Sequence, residues 1–280
     1  MATASPWQLG VLDPHGPVDI SERLILFDSL AIMLAIVVPV IAATLAFAWW
    51  FRASNTRAAY WPDWSFSGRL ELIVWAIPAL VVTFLGGIAW FGSHALDPYR
   101  PLASRAKPTE VEVVSLDWKW LFIYPDEGVA SLNQLVLPVG SPAHFRLTSN
   151  GVMNSFFVPQ LGSQIYTMAG MISQLTLEAD QPGTYRGLSA QFSGDGFSDM
   201  RFEARVLPPG AYAKWVADAK AGGSALDAAA YAQLAKQSGN VAPAAYGSID
   251  PKLFDAIVNQ TAPPAQGAPG APDAPPGGGS

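Results

Sequence analysis

The sequence predicts a two-helix transmembrane hairpin followed by an antiparallel β-sandwich, closed by short C-terminal helices and a disordered tail. Three observations carry that reading. Two runs of 22 residues without a charge stand in the first third of the chain. Between 110 and 207 short alternating segments recur between Gly, Pro, Asn and Asp turn signals. The last 20 residues are mostly Pro, Gly and Ala with one charge. The bulk composition agrees: half of the 280 residues are hydrophobic and 14% are charged, against about 25% charged in ordinary soluble domains.

The apolar runs are 30–51 (LAIMLAIVVPVIAATLAFAWWF) and 72–93 (LIVWAIPALVVTFLGGIAWFGS). At about 1.5 Å per residue each reaches about 33 Å, enough to cross a hydrocarbon core of about 30 Å. Trp49, Trp50, Phe51, Trp90 and Phe91 sit at the run ends, where amphipathic rings favour the membrane interface. Core helices of a soluble protein rarely run so long without a polar face, which disfavours two buried helices. The hairpin is predicted over 24–95, with helices at about 24–51 and 71–93 and a loop at 52–70, after a loop-like segment 1–23.

The loop carries Arg52, Arg57 and Arg69 against Asp63, whereas the segment before the first helix holds Asp13, Asp19 and Glu22. Positive charge favours the cytoplasmic side. This places the loop inside and both termini and the β-domain on the periplasmic side of a bacterial inner membrane. Arg100, Arg105 and Lys107 after the second helix narrow the margin. Either the first membrane helix serves as the export signal, or a leader precedes this numbering. With no cysteine, the outer domain must be held by its own core, for which about 110 residues suffice. The net charge of −6 argues against a nucleic-acid partner.

Strands are predicted at 110–116 (EVEVVSL), 118–124, 132–137, 143–148, 174–178, 184–191 and 201–207, giving an outer domain over 108–207. Helical periodicity returns after PPG, at 211–220 and 226–236, within a C-terminal helical region 208–260. The segment 261–280 (TAPPAQGAPGAPDAPPGGGS) is too poor in apolar side chains to offset chain entropy and is predicted to be disordered.

The most informative stretch is SAQFSGDGFSDM at 189–200, which reads S-x-Q-x-S-x-x-x-F-x-x-M. It resembles the Cys-x-Glu-x-Cys-x-x-x-His-x-x-Met copper loop of subunit II of the haem-copper respiratory oxidases, whose outer domain is a cupredoxin. GVMNSFFVPQLG (151–162) resembles the family segment with the first copper-ligating histidine, and DWKW (117–120) its aromatic strand. ELIVWAIP (71–78) resembles the start of its second helix, and the likeness extends over about 20–205.

Carried over position by position, the resemblance puts the family's copper ligands at Asn154, Ser189, Gln191, Ser193, Phe197 and Met200. Bridging thiolate sulfur stabilises such a centre; a neutral serine hydroxyl does not replace it, and a phenyl ring cannot ligate. These positions are therefore read as vestigial and not metal-binding. His15, His94 and His144 are scattered in sequence and suggest no other metal site. His144 reads as a plain strand residue.

Within the family, loss of the copper centre points to the quinol-oxidase branch, and VVSLDWKWLFIYPDEG and GTYRGLSAQFSGDGFSDM resemble its subunit II (cytochrome bo type). The resemblance implies a non-redox subunit of a proton-pumping ubiquinol oxidase. Haems and a copper ion would then belong to subunit I, with ubiquinol as the substrate of the complex and no cytochrome c as donor. Subunit I, other small membrane subunits and the bilayer are the implied partners. The rival readings are a cytochrome c oxidase subunit II, disfavoured by the missing ligands, and a free membrane-anchored cupredoxin-like binding protein. Catalytic residues are expected in none of this chain. Glu71 reads either as a favourable carboxylate at a helix N-terminus or, by resemblance, as a proton-entry group. Trp118 and Trp120 are read as core or subunit-interface aromatics.

Overall fold

The computed structural model describes residues 10–59, 61–104 and 106–263. They form two compact units, one spanning 23–97 and the other joining the residues up to 22 with those from 98 onward.

The first unit is helical. α1 (Pro17–Trp50) and α2 (Gly68–Ala95) are long and apolar enough to cross a membrane, and none of their most apolar windows is buried within the chain. Leu34, Val38, Leu45, Val82 and Phe84 all face outward, so these helices have no core of their own and need lipid or protein around them. Thr44 and Thr83 return their hydroxyl protons to the carbonyls of Val40 and Ala79, at 2.8 Å each. Neither threonine hydroxyl is thereby left bare in the apolar runs. α1 begins at Pro17, where the missing N–H costs nothing, and so starts seven residues before the helix the sequence suggested.

The second unit is a two-sheet sandwich with an added layer. Its strands are β1 (Thr109–Leu116), β2 (Lys119–Tyr124), β3 (Val129–Leu132), β4 (Gln134–Pro138), β5 (Ala143–Ser149), β6 (Asn154–Phe157), β7 (Ile165–Thr167), β8 (Ser173–Leu177), β9 (Gly183–Ser189) and β10 (Arg201–Leu207). After them come α3 (Pro209–Gly222), β11 (Ser224–Leu226), α4 (Ala228–Leu234), β12 (Ala244–Ile249) and α5 (Leu253–Val258). One sheet runs β11-β12-β3-β2-β1-β5-β8 and the other β4-β10-β9-β6-β7. Most pairings are antiparallel; β1 with β5, β4 with β10 and β11 with β12 are parallel.

Between the sheets lies an aromatic core of Trp120, Phe122, Phe145, Phe156 and Phe202, all buried. Phe156 and Phe202 stack with centroids 5.3 Å apart, and Trp120 meets both edge-on at 5.6 and 5.7 Å. Gly187, opposite Phe202 in the β9–β10 register, makes room for that ring: a Cβ there would lie 2.1 Å from it.

Several sequence expectations change here. The run 132–137 is not one strand. Asn133 takes φ +52° and splits it, its Oδ1 accepting from the Trp120 N–H and its Nδ2 donating to the Val241 carbonyl, both at 2.8 Å. β3 and β4 thus enter different sheets. Trp118 lies outside the strand expected at 118–124, in the β1–β2 turn at φ +59°. The region 208–260 is not purely helical: β11 and β12 extend the larger sheet by pairing with the edge of β3. Their short, small-residue sequences carry no alternation to announce them. The tail expectation falls mainly on 264–280, outside the described residues.

The added layer explains a peculiarity of β1, which is buried on both faces from Val111 onward. Its outer residues Val114 and Leu116, with Leu121, Ile123 and Ala130, pack against Leu226, Tyr231, Leu253, Phe254 and Ile257 of the C-terminal arm. The residues before the membrane belong to the sandwich too. The His15 N–H donates to the Gln160 carbonyl and the Asp180 N–H to that of His15, both at 2.9 Å, while Val18 and Asp19 are buried.

Candidate functional site

The loop 190–200 joins β9 to β10 and lies against the start of β6. Register fixes it: Ser189 ends β9 opposite Phe156, its N–H donates to the Met200 carbonyl at 3.1 Å, and the Ala190 N–H donates to Ser155 at 3.0 Å. A 3-10 turn at Phe197–Asp199 then returns the chain to β10.

The structure brings five of the six positions together. Ser189 Oγ lies 3.0 Å from Asn154 Oδ1 and 3.2 Å from the Gln191 carbonyl, sharing its single proton. Asn154 Nδ2 donates to the Val152 carbonyl at 3.2 Å. Ser193 Oγ points at Met200 Sδ, 3.9 Å away. Asn154, Ser189 and Met200 are buried. Phe197 turns elsewhere and packs edge-on against the exposed Phe192, centroids 5.6 Å apart.

Trp118 closes this loop. Its Nε1 donates to the Ser193 carbonyl at 3.1 Å, and its ring covers Gly194 and Gly196. A Cβ on Gly196 would sit 2.2 Å from that ring, so the indole lies flush on bare backbone. Trp120 behaves differently. It has no exposed surface, being walled in by Phe156 and Phe202, and so cannot serve as the subunit-interface aromatic considered above. The turn at Trp118 separates the two rings, one to the loop and one to the core.

Chemically the cluster offers an amide, two hydroxyls, a main-chain carbonyl and a thioether. These donors do not fit a dinuclear copper centre, which depends on bridging thiolates and imidazoles. The polar groups present are spent on one another: the hydroxyl proton of Ser189 goes to Asn154 and Gln191. Breaking one such buried bond costs about 1–3 kcal/mol. The cluster can hold the loop in place but supplies no redox or acid–base group.

The histidines sit in separate local settings. His15 Nε2 is 3.3 Å from Asp13 Oδ2, His94 Nδ1 2.8 Å from the Trp90 carbonyl, and His144 Nδ1 2.7 Å from Glu110 Oε2. Among the described residues no group of three or more His, Cys, Asp or Glu could hold a metal. Glu71 lies in the first turn of α2, exposed, its N–H bonded to the Ser67 carbonyl at 3.0 Å. Among the described residues its carboxylate has no hydrogen-bond or ion-pair partner.

Sequence reasoning missed a charged network on the outer face of the sandwich. Parallel pairing of β1 with β5 sets Glu110 beside His144 and Glu112 beside Arg146. Arg146 Nη1 donates to Glu112 Oε1 at 2.8 Å, and its guanidinium lies 5.0 Å over the Phe254 ring of α5. Burial pushes the Glu112 carboxyl up to about 7 despite the opposing pull of Arg146; the Asp255 and Glu110 carboxylates add to the rise. At the β1–β2 turn the buried Lys119 donates to the Lys236 carbonyl and to Ser238 Oγ, both at 2.6 Å, and burial lowers its pKa. EVE and HFR are visible in the sequence, but only the β1–β5 register pairs them.

Two apolar helices joined to a cupredoxin-like sandwich define the class: a membrane-anchored cupredoxin-like chain, here without a copper ligand set. Residues 127–206 match the family described as "Cytochrome C oxidase subunit II, periplasmic domain", and residues 220–265 match "COX Aromatic Rich Motif". The chain is 48% identical over 250 residues to cytochrome bo(3) ubiquinol oxidase subunit 2 of Pseudomonas aeruginosa, covering 89% of this chain and 76% of the relative. It is 47% identical over 254 residues to ubiquinol oxidase subunit 2 of Acetobacter aceti, covering 90% and 82%. A solved relative is the periplasmic domain of cytochrome oxidase subunit II from Bradyrhizobium japonicum, at 23% identity and a TM-score of 0.40, covering 43% of this chain and 98% of that one. The chain belongs to the ubiquinol oxidase subunit 2 family.

Proposed function

We propose that this chain is the non-redox subunit II of a proton-pumping terminal ubiquinol oxidase in a bacterial inner membrane. The complex oxidises two ubiquinols per O2 and releases two waters, with electrons moving through haems and a copper ion of subunit I. The sandwich and both termini lie on the periplasmic side. The single observation that carries the reading is the Asn154–Ser189–Ser193–Met200 cluster: it sits on the loop that resembles the family's copper loop, and its polar atoms bond to each other. With no electron acceptor in this domain, a soluble cytochrome has nothing to reduce here. Quinol dissolved in the membrane is the donor consistent with that.

The chain's own work is then assembly. The unburied faces of α1 and α2 seat against subunit I and other membrane subunits, and the exposed, unpartnered Glu71 collects protons at the cytoplasmic mouth. The bare helix faces also disfavour a free-standing binding protein, which would not need two of them. Purification through a tag on this chain tests the reading. The expected result is a co-purifying large subunit with haem, and copper stoichiometry accounted for by that subunit alone. Isolation of this chain without any haem-bearing partner would refute it.

A further inference from the structure

Trp50 and Phe51 at the end of α1, with Ala59, Trp61 and Trp64 of the following loop, line an open cup of about 490 Å³. Small-ligand sites typically measure about 300–1,000 Å³. The cup's aromatic walls are bare: Trp61 is 72% exposed, Trp64 58% and Phe51 58%. A loop surrounded by water seldom holds such large apolar faces together. Amphipathic rings instead collect at the bilayer interface, and Trp50 ends a helix apolar enough to span it.

The loop that carries the cup is cationic in sequence. Arg52 follows Phe51, Arg57 stands two residues before Ala59, and Arg69 is the second residue of α2, while Asp63 is the single acid in 52–70. Among the described residues none of these arginines is in an ion pair. Arg52 is fixed in place. Its Nη1 donates to the Trp49 carbonyl at 2.7 Å, its Nε to Ser54 Oγ at 3.1 Å, and its charge lies 4.7 Å over the Trp49 ring. An aromatic cup in a loop with three arginines and one acid complements an amphiphile with an apolar body and a negative head.

We propose that this cup binds an anionic phospholipid, with its acyl chain against Trp50, Phe51, Trp61 and Trp64 and its phosphodiester on Arg52 and Arg57. A zwitterionic choline lipid brings its own cation to the arginines and is disfavoured. A partner polypeptide is the other conceivable occupant, but it would have to supply acids to match three unpaired arginines. Lipid needs no such match and surrounds the loop wherever the hairpin spans a bilayer. The site is independent of whether the complex oxidises quinol.

The test uses the full chain with the subunits that accompany it, in micelles carrying equal phosphatidylglycerol and phosphatidylcholine. Native mass spectrometry counts the lipids retained. Phosphatidylglycerol should be retained preferentially. Each arginine near an anionic surface is worth about fivefold in affinity, so Arg52→Gln/Arg57→Gln should cut the preference by about 25-fold. Trp61→Ala/Trp64→Ala should reduce retention of both lipids. Arg201→Gln, which removes an exposed charge on β10, should change nothing. Equal retention of the two lipids by the wild type, or a preference untouched by the arginine pair, would overturn the proposal. So would a photo-crosslinker at position 61 that captures another subunit instead of lipid.

Discussion

Glu112 provides a test in which two physical effects predict opposite signs. It is paired with Arg146 at 2.8 Å, and an ion pair taken alone would make the ionised carboxylate stabilising. Yet Glu112 is only 9% exposed, and burial outweighs the arginine, lifting its pKa from 4.5 to about 7. An acid with a raised folded-state pKa holds its proton more tightly when folded. The stability from that proton is fully present below pH 4.5 and is lost as pH rises through about 7. At about 1.4 kcal/mol per pH unit the gap corresponds to about 3 kcal/mol. Glu112→Gln removes the titration. It also leaves Arg146 without its carboxylate; the pH dependence of that attraction is already contained in the wild-type pKa, which burial raises and Arg146 lowers by less. The assay is urea unfolding of a fragment spanning 98–263, wild type and Glu112→Gln, from pH 4.5 to pH 8. The stability difference, variant minus wild type, should rise by about 3 kcal/mol across that range. A constant difference would show that the Arg146 pair cancels burial, and one that falls with pH that the pair prevails; either refutes the reasoning.

Four further outcomes are expected. Gly196→Ala should displace the Trp118 ring, whose Cδ2 would lie 2.2 Å from the new methyl, and cost about 1–3 kcal/mol in thermal unfolding; an unchanged Tm and indole fluorescence would contradict the packing described. A fragment ending at Leu207 should unfold non-cooperatively or aggregate, because Val114, Leu116, Leu121 and Ile123 lose their cover from the arm, whereas 98–263 should unfold cooperatively; equal m-values per residue for the two fragments would count against this. Asn154→His, Ser189→Cys, Gln191→Glu, Ser193→Cys and Phe197→His combined should yield a domain that retains copper with thiolate charge-transfer absorption, since Ser189 and Asn154 are already in contact; a folded variant without copper would refute the equivalence of these positions. Glu71→Gln and Glu71→Ala should slow quinol-driven oxygen uptake with assembly and haem content unchanged, and Glu71→Asp should do less harm; normal rates in Gln and Ala variants would leave Glu71 as a helix-end charge.

The sequence made the membrane helices and the loop at 189–200 legible for different reasons. Long uncharged runs have one physical explanation, and the S-x-Q-x-S-x-x-x-F-x-x-M frame keeps the spacing of the copper loop it resembles. What stayed hidden depended on contacts distant in sequence. Asn133 looks like an ordinary polar residue inside an apolar run, and only its bonds to Trp120 and Val241 show that it turns the chain from one sheet to the other. β12 falls within the stretch read as a C-terminal helical region, and only its pairing with β3 shows it to be a strand. The two tryptophans of DWKW look equivalent at i, i+2 spacing, but the positive φ at Trp118 sends one to the loop and the other to the core. Glu112 and Arg146 are 34 residues apart and become partners through a parallel register that alternation alone does not specify.

In the proposed complex electrons reach oxygen without passing through this chain. Oxygen uptake by the purified complex with ubiquinol and, separately, with reduced cytochrome c, alongside its near-infrared spectrum, tests this. Uptake with ubiquinol only, haem bands present and no thiolate-bridged copper band in the near infrared are the predicted results. Uptake driven by cytochrome c, or a near-infrared copper band that follows this chain, would show that electrons do pass through it.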